Sequence, residues 1–108
     1  MLNMITKNER RASLTSSDKK LIRILQVLSD PNRYKMFKIM LAKKELCVSE
    51  IAGILNISVP AASQHFKTFE LVGIVEKERM GQKICYQVKG NDKLLRQLVE
   101  IINKRKGE

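Results

Sequence analysis

The chain has 108 residues, enough for one compact domain with a modest core. It is 44% hydrophobic and 30% charged, and 21 Lys and Arg against 11 Asp and Glu leave a formal charge of +10, which favours a polyanionic partner because each neutralised phosphate releases counterions. No apolar run approaches the length of a membrane span, and Met1 to Arg11 lacks the continuous hydrophobic segment of a secretory signal.

Residues 1–16 are polar and mixed and are expected to form a flexible arm, with one domain over 17–106. Ser16 or Ser17, followed by Asp18, starts a first helix. Leu21, Ile24, Leu25 and Leu28 recur at i, i+3, i+4 and i+7 as its apolar stripe, with Ile22 and Val27 on the flanks. That arc is wider than one small domain needs. Asp30 caps a second helix and Pro31 opens it. Tyr34, Met36, Phe37, Ile39, Met40 and Leu41 leave it only a narrow polar edge at Lys35 and Lys38, so it is expected to be central. Leu46 falls in a short extended piece. Cys47 stands where an N-cap would be, with Glu50 three positions on as half of a capping box.

Residues 51–69 carry the densest local pattern. Ile51, Ile54 and Leu55 share one helical face. Asn56 sits where that helix must reverse, and Asn tolerates the left-handed conformation. Ser58 can cap the next helix and Pro60 suits its first turn. Ala62, Phe66 and Phe69 recur at i, i+4 and i+7 and face inward. Val59, Pro60, Ser63, Gln64, His65 and Lys67 are left for the outside.

Gly73 ends this fourth helix, and Ile74–Glu78 reads as a strand. Arg79–Lys83 is a turn with Gly81 at its tip. Ile84, Tyr86 and Val88 alternate with Cys85 and Gln87 as a half-buried strand. Asn91 caps a last helix, in which Leu94, Leu98, Ile101 and Ile102 form a stripe widened by Leu95 and Val99. Lys104, Arg105 and Lys106 suit its C-terminal end.

The order helix, helix, helix-turn-helix, hairpin, helix describes a mainly α (α+β) winged helix-turn-helix, with about five helices and a two- or three-stranded wing. Ser, Gln, His and Lys on the outer face of the fourth helix can exchange hydrogen bonds with base edges, and Val59 or Pro60 can touch a thymine methyl. No acidic residue precedes Glu70 on this face, as suits a neighbour made of phosphates. The candidate DNA-binding set is Ser58, Val59, Pro60, Ser63, Gln64, His65 and Lys67, with Arg79, Gln82 and Lys83 from the wing tip on phosphates or the minor groove. A solvated helix face and an ordinary basic loop are the plainer readings of the same residues. The broad apolar faces of the first and last helices are expected to meet those of a second copy in a two-fold dimer. Such a dimer sets two recognition helices roughly 34–36 Å apart on an inverted repeat of double-stranded DNA. A thicker monomer core is the alternative.

Leu28–Arg33, Glu45–Val48, Val59–Phe66 and the wing from Gly81 to Tyr86, in this order and spacing, resemble the ArsR/SmtB family of bacterial winged-helix repressors. The resemblance runs from about Asp18 to Asn103. It implies a homodimeric transcriptional repressor that leaves its operator when an inducer binds, with Ser63, Gln64, His65 and their neighbours reading DNA. The departures concern metal. Of the family's arsenic-type Cys-Val-Cys segment and further Cys, Cys47 matches the first position, but Ser49 and Ala52 replace the others. At the zinc-type positions stand about Gly90, Asp92, Asn103 and Lys106. Neither set supplies four ligands, so no metal and no cofactor is expected.

Two Cys do not make a disulfide framework, and a reducing cytoplasm is the simplest compartment. In a winged helix the strand near Leu46 pairs with the strand holding Cys85, which makes Cys47 and Cys85 neighbours. Cys47 at a helix N-terminus amid basic residues favours a reactive thiol. The pair is therefore a candidate redox or reactive-sulfur switch, although two inert, half-buried residues are the simpler expectation. No Ser/His/Asp set, carboxylate pair or Gly-rich phosphate loop points to an enzyme, and one His leaves little room for acid–base work. The remaining alternatives are a winged helix that contacts only proteins, or a DNA-binding protein without an inducer.

Overall fold

The computed structural model describes residues 13–105. Most of the expected arm lies outside them. Helix α1 (Ser16–Leu28) begins at Ser16, and its cap is Thr15. The Thr15 hydroxyl accepts the Asp18 N–H, and the Asp18 carboxylate accepts the Thr15 N–H. Helix α2 (Pro31–Ala42) starts as expected, with Asp30 accepting the Arg33 N–H and Pro31 in the first turn. Strand β1 (Leu46–Cys47) leads into α3 (Val48–Leu55), where Glu50 accepts the Cys47 N–H. Asn56 takes φ 57° and ψ 48° and reverses the chain, while the Ile57 N–H donates back to the Ala52 carbonyl. Helix α4 (Val59–Leu71) begins beneath Ser58, whose Oγ accepts the Ala61 N–H at 3.1 Å. Gly73, at φ 74°, closes it.

Strands β2 (Val75–Met80) and β3 (Lys83–Val88) form the hairpin, and β1 joins it in the antiparallel order β1-β3-β2. The turn is tighter than expected. Arg79 pairs with Ile84 and Met80 with Lys83, so only Gly81 and Gln82 are left in the loop. Gly81 takes the positive φ that the first position of such a loop requires. The alternation expected of β3 also fails, because Cys85 and Tyr86 are both buried. β3 is the central strand, and both of its faces are covered there. The last helix, α5 (Lys93–Asn103), is capped by Asp92 rather than Asn91. Its carboxylate accepts the Leu95 N–H and also pairs with Lys20 of α1.

Met36, Phe37 and Met40 make α2 the central helix. Phe37 meets Phe69 edge to face at 6.0 Å, and Phe66 and Phe69 are likewise perpendicular. The Arg33 side chain donates to the Val27 carbonyl and so closes the end of α1. Two apolar stripes are turned from their expected positions. In α1 the buried set is Ile24, Val27 and Leu28, and Leu25 is 48% exposed. In α5 the seam is Leu95 and Ile102, and Ile101 is 51% exposed. Neither helix spends its whole apolar arc on this one chain.

Candidate nucleic-acid interface

Three local devices aim α4. The αL turn at Asn56 swings the chain away from α3, Ser58 accepts the free Ala61 N–H, and Pro60 fixes the opening turn. Ala62, Phe66 and Phe69 are then wholly buried. With 100° per residue, Pro60, Gln64, Lys67 and Leu71 must point the opposite way, and all four are exposed. The outward row therefore carries a ring, an amide, an ammonium and an apolar end. No acidic residue precedes Glu70 in the helix.

The other expected residues occupy the flanks of that row. Val59 and Ser63 stand on the side of the hairpin and, with Lys67, line a groove of about 430 Å³ between α4 and the wing. His65 is on the far flank, half-buried, and its charge reaches Asp30 at the start of α2. The Asp30 carboxyl is held below its usual range, first by the Arg33 N–H it accepts. Burial opposes this, and the charges of Arg33 and His65 add to it. Ser58 is exposed, but its hydroxyl is engaged in the cap.

The wing stands clear of the core. Every residue of β2 after Val75 is exposed. The register sorts its charges by face. Lys77 pairs with Tyr86 and Arg79 with Ile84, on the face of the hairpin that turns to α4. Glu76 and Glu78 pair with Gln87 and Cys85 on the reverse face. Lys83 and Gln82 complete the groove at the tip. A plain strand over Ile74–Glu78 does not single out Lys77. The period-2 sequence Glu76-Lys77-Glu78-Arg79 separates acids from bases by face, and only pairing with β3 shows that the bases meet α4.

A single aromatic contact ties the two halves of this surface together. The Tyr86 ring of β3 stacks on the Phe66 ring of α4, with centroids 4.3 Å apart and planes within 7°. Burial raises the Tyr86 hydroxyl's pKa, and the nearby Glu70 adds to the shift. One residue before Tyr86, Cys85 is directly opposite Cys47 of β1, and the two sulfurs are bonded. The expectation of neighbouring residues holds, but they are not two independent thiols. Among the described residues, no group of three or more His, Cys, Asp or Glu is placed to hold a metal ion.

The sequence profile of the bacterial regulatory proteins of the arsR family matches residues 30–77, the span from α2 to the wing. The arsenical resistance operon repressor of Staphylococcus xylosus is 35% identical over 72 residues, which cover 67% of this chain and 68% of that protein. The chain belongs to the ArsR family. A second relative, the cadmium resistance transcriptional regulatory protein of Listeria innocua, is 36% identical over 70 residues. The matched stretch covers 65% of this chain and spans 58% of that regulator's length. The fold matches the homodimeric winged helix-turn-helix DNA-binding domain of a possible ArsR-family regulator from Mycobacterium bovis, with a TM-score of 0.66 and 21% identity. That match covers 96% of this chain and 91% of the other. Family and fold are those of transcriptional regulators, not enzymes. No helix among the described residues is long and apolar enough to cross a membrane.

Proposed function

We propose that this ArsR-family chain is a transcriptional repressor that binds an inverted-repeat operator as a homodimer in the cytoplasm. The observation that carries the reading is the exposed row Pro60, Gln64 and Lys67 on α4, free of carboxylates and set beside a wing whose cations face the same groove. In this reading α4 lies in the major groove. Gln64 and Ser63 contact base edges there, and Val59 and Pro60 make apolar contacts. Lys67, Lys77, Arg79, Gln82 and Lys83 hold phosphates and set the register. His65, half-buried on the flank of α4, reaches DNA only at the edge of the footprint.

The dimer reading rests on the unspent faces of α1 and α5. Leu25, Leu28, Tyr34, Leu98 and Ile101 line a shallow groove of about 390 Å³ between these helices. A second copy related by two-fold symmetry offers the same surface to cover it. The relative from Mycobacterium bovis is described as homodimeric, which fits.

Duplex binding measured against salt tests the proposal. A repressor of this kind loses roughly 10³–10⁵ in affinity between about 50 and 200 mM salt and retains a preference for one inverted repeat. Weak binding that ignores sequence at every salt concentration would identify a protein-contact module instead.

A further inference from the structure

We infer that Cys47 and Cys85 form a reversible dithiol–disulfide site whose oxidation state sets the affinity of the winged helix for DNA; this rests on the repressor reading above. Cys47 and Cys85 are directly opposed across β1 and β3, and their sulfurs are bonded. The bridge sits at the mechanical junction of the DNA-binding surface. Cys47 is the N-cap of α3, the first helix of the helix-turn-helix. Cys85 precedes Tyr86, whose ring lies flat on Phe66 of the recognition helix. A covalent link at this point fixes the wing against α3 and, through one stacked ring, against α4.

The two sulfurs differ in access. Cys85 is fully buried, whereas Cys47 is half-buried and lines the groove with Lys67, Lys77 and Lys83. Its place at the N-terminus of α3, with the Lys83 charge close enough to act on the adjoining Glu50, favours a thiolate at Cys47, the reactive form. Glu50 acts the other way, but Lys43 pairs with it and blunts its charge. Cys47 is therefore the attacking sulfur and Cys85 the resolving one. With a hydroperoxide as oxidant, the Cys47 thiolate attacks one peroxide oxygen and the O–O bond breaks. For hydrogen peroxide the leaving hydroxide takes a proton and becomes water, and Cys47 is left as a sulfenic acid. The Cys85 thiol then gives up its proton, bonds to the Cys47 sulfur and displaces the second oxygen as water. Two thiols and one hydrogen peroxide thus become one disulfide and two waters. A cellular dithiol reverses the step by supplying two electrons and two protons.

A protein that works on DNA in a reducing cytoplasm holds such a bridge only while oxidation outpaces reduction. Docking requires α4 and the wing to meet base edges and phosphates at once. The oxidised form fixes their relation through the bridge, whereas the reduced form lets β1 and β3 adjust. Reduced protein is therefore the tight binder.

The test uses the full chain and a duplex that the reduced protein selects from a randomised library. Affinity is measured in dithiothreitol and again after hydrogen peroxide, with the bridge scored by mass and by thiol alkylation. Oxidised protein should bind at least about ten-fold more weakly, and dithiothreitol should restore it. Cys47→Ser should bind like the reduced protein and ignore peroxide. Cys85→Ala, which leaves no polar group in the buried site, should do the same. A change below about two-fold, tighter binding on oxidation, or peroxide sensitivity that persists in both variants overturns the switch and leaves the repressor reading standing. Sequence-blind binding by reduced protein and variants alike overturns both.

Discussion

Gln64 is the residue on which specificity should turn. It is exposed, it lies opposite the buried Phe66 face, and its amide can donate to and accept from one adenine edge at once. Gln64→Ala should cost about 1–3 kcal/mol on the preferred duplex and relax selectivity at one or two base pairs, read by competition binding against single-base variants. An unchanged preference would take α4 out of the major groove. Lys83→Ala should behave differently. It removes a point charge at the wing tip, so every sequence should weaken alike and the salt slope should fall by about one. A changed sequence preference would mean that the wing reads bases. Both residues were legible in the sequence, because helical periodicity places Gln64 and a Gly-centred turn places Lys83. Lys77 was not, since strand alternation assigns its face only once β2 is registered against β3. Pairing of Cys47 with Cys85 could be inferred only from the topology of a winged helix, and a bond between them not at all.

At the scale of the element, caps decide where helices begin, and two lie a residue away from the expected place. Thr15 caps α1 ahead of the expected Ser16 or Ser17, and Asp92 caps α5 in place of Asn91. Adjacent residues compete for one capping position, and propensity alone does not choose among Ser, Thr, Asp and Asn. In α5 a distant partner settles it, since Lys20 of α1 pairs with Asp92 across 72 positions of chain. That ion pair and the Leu95 N–H hold the Asp92 carboxyl below its usual range. The sign follows directly. A depressed pKa in the folded state gives stability that is present above the unfolded value, near about 4, and is lost as pH falls through the folded one. Asp92→Ala should therefore cost about 1 kcal/mol at neutral pH, measured by urea denaturation. The gap to the unsubstituted protein should close as pH falls below about 4. A gap that survives at acid pH would mean that the cap acts without its charge.

The whole molecule presents two surfaces with opposite chemistry. One is the basic groove between α4 and the wing, and the other is the apolar strip of α1 and α5. Their separation suits the proposed symmetric dimer, in which pairing would consume the apolar strip and leave the basic groove free in each subunit. The sequence pattern revealed too much apolar arc in both helices, but not which residues would be left outside. Tertiary packing chose them, burying Ile24 and Leu95 and leaving Leu25 and Ile101 exposed. Leu25→Glu combined with Ile101→Glu places carboxylates on that strip without touching the core. The double variant should fold, lose the concentration dependence of its thermal midpoint, and sediment as a monomer. Its operator affinity should fall by roughly 10²–10⁴-fold, because two half-sites are no longer bound by one linked pair of subunits. A double variant that remained dimeric would move the interface elsewhere. A monomer that kept full affinity would show that one subunit suffices, and the inverted repeat would lose its physical basis.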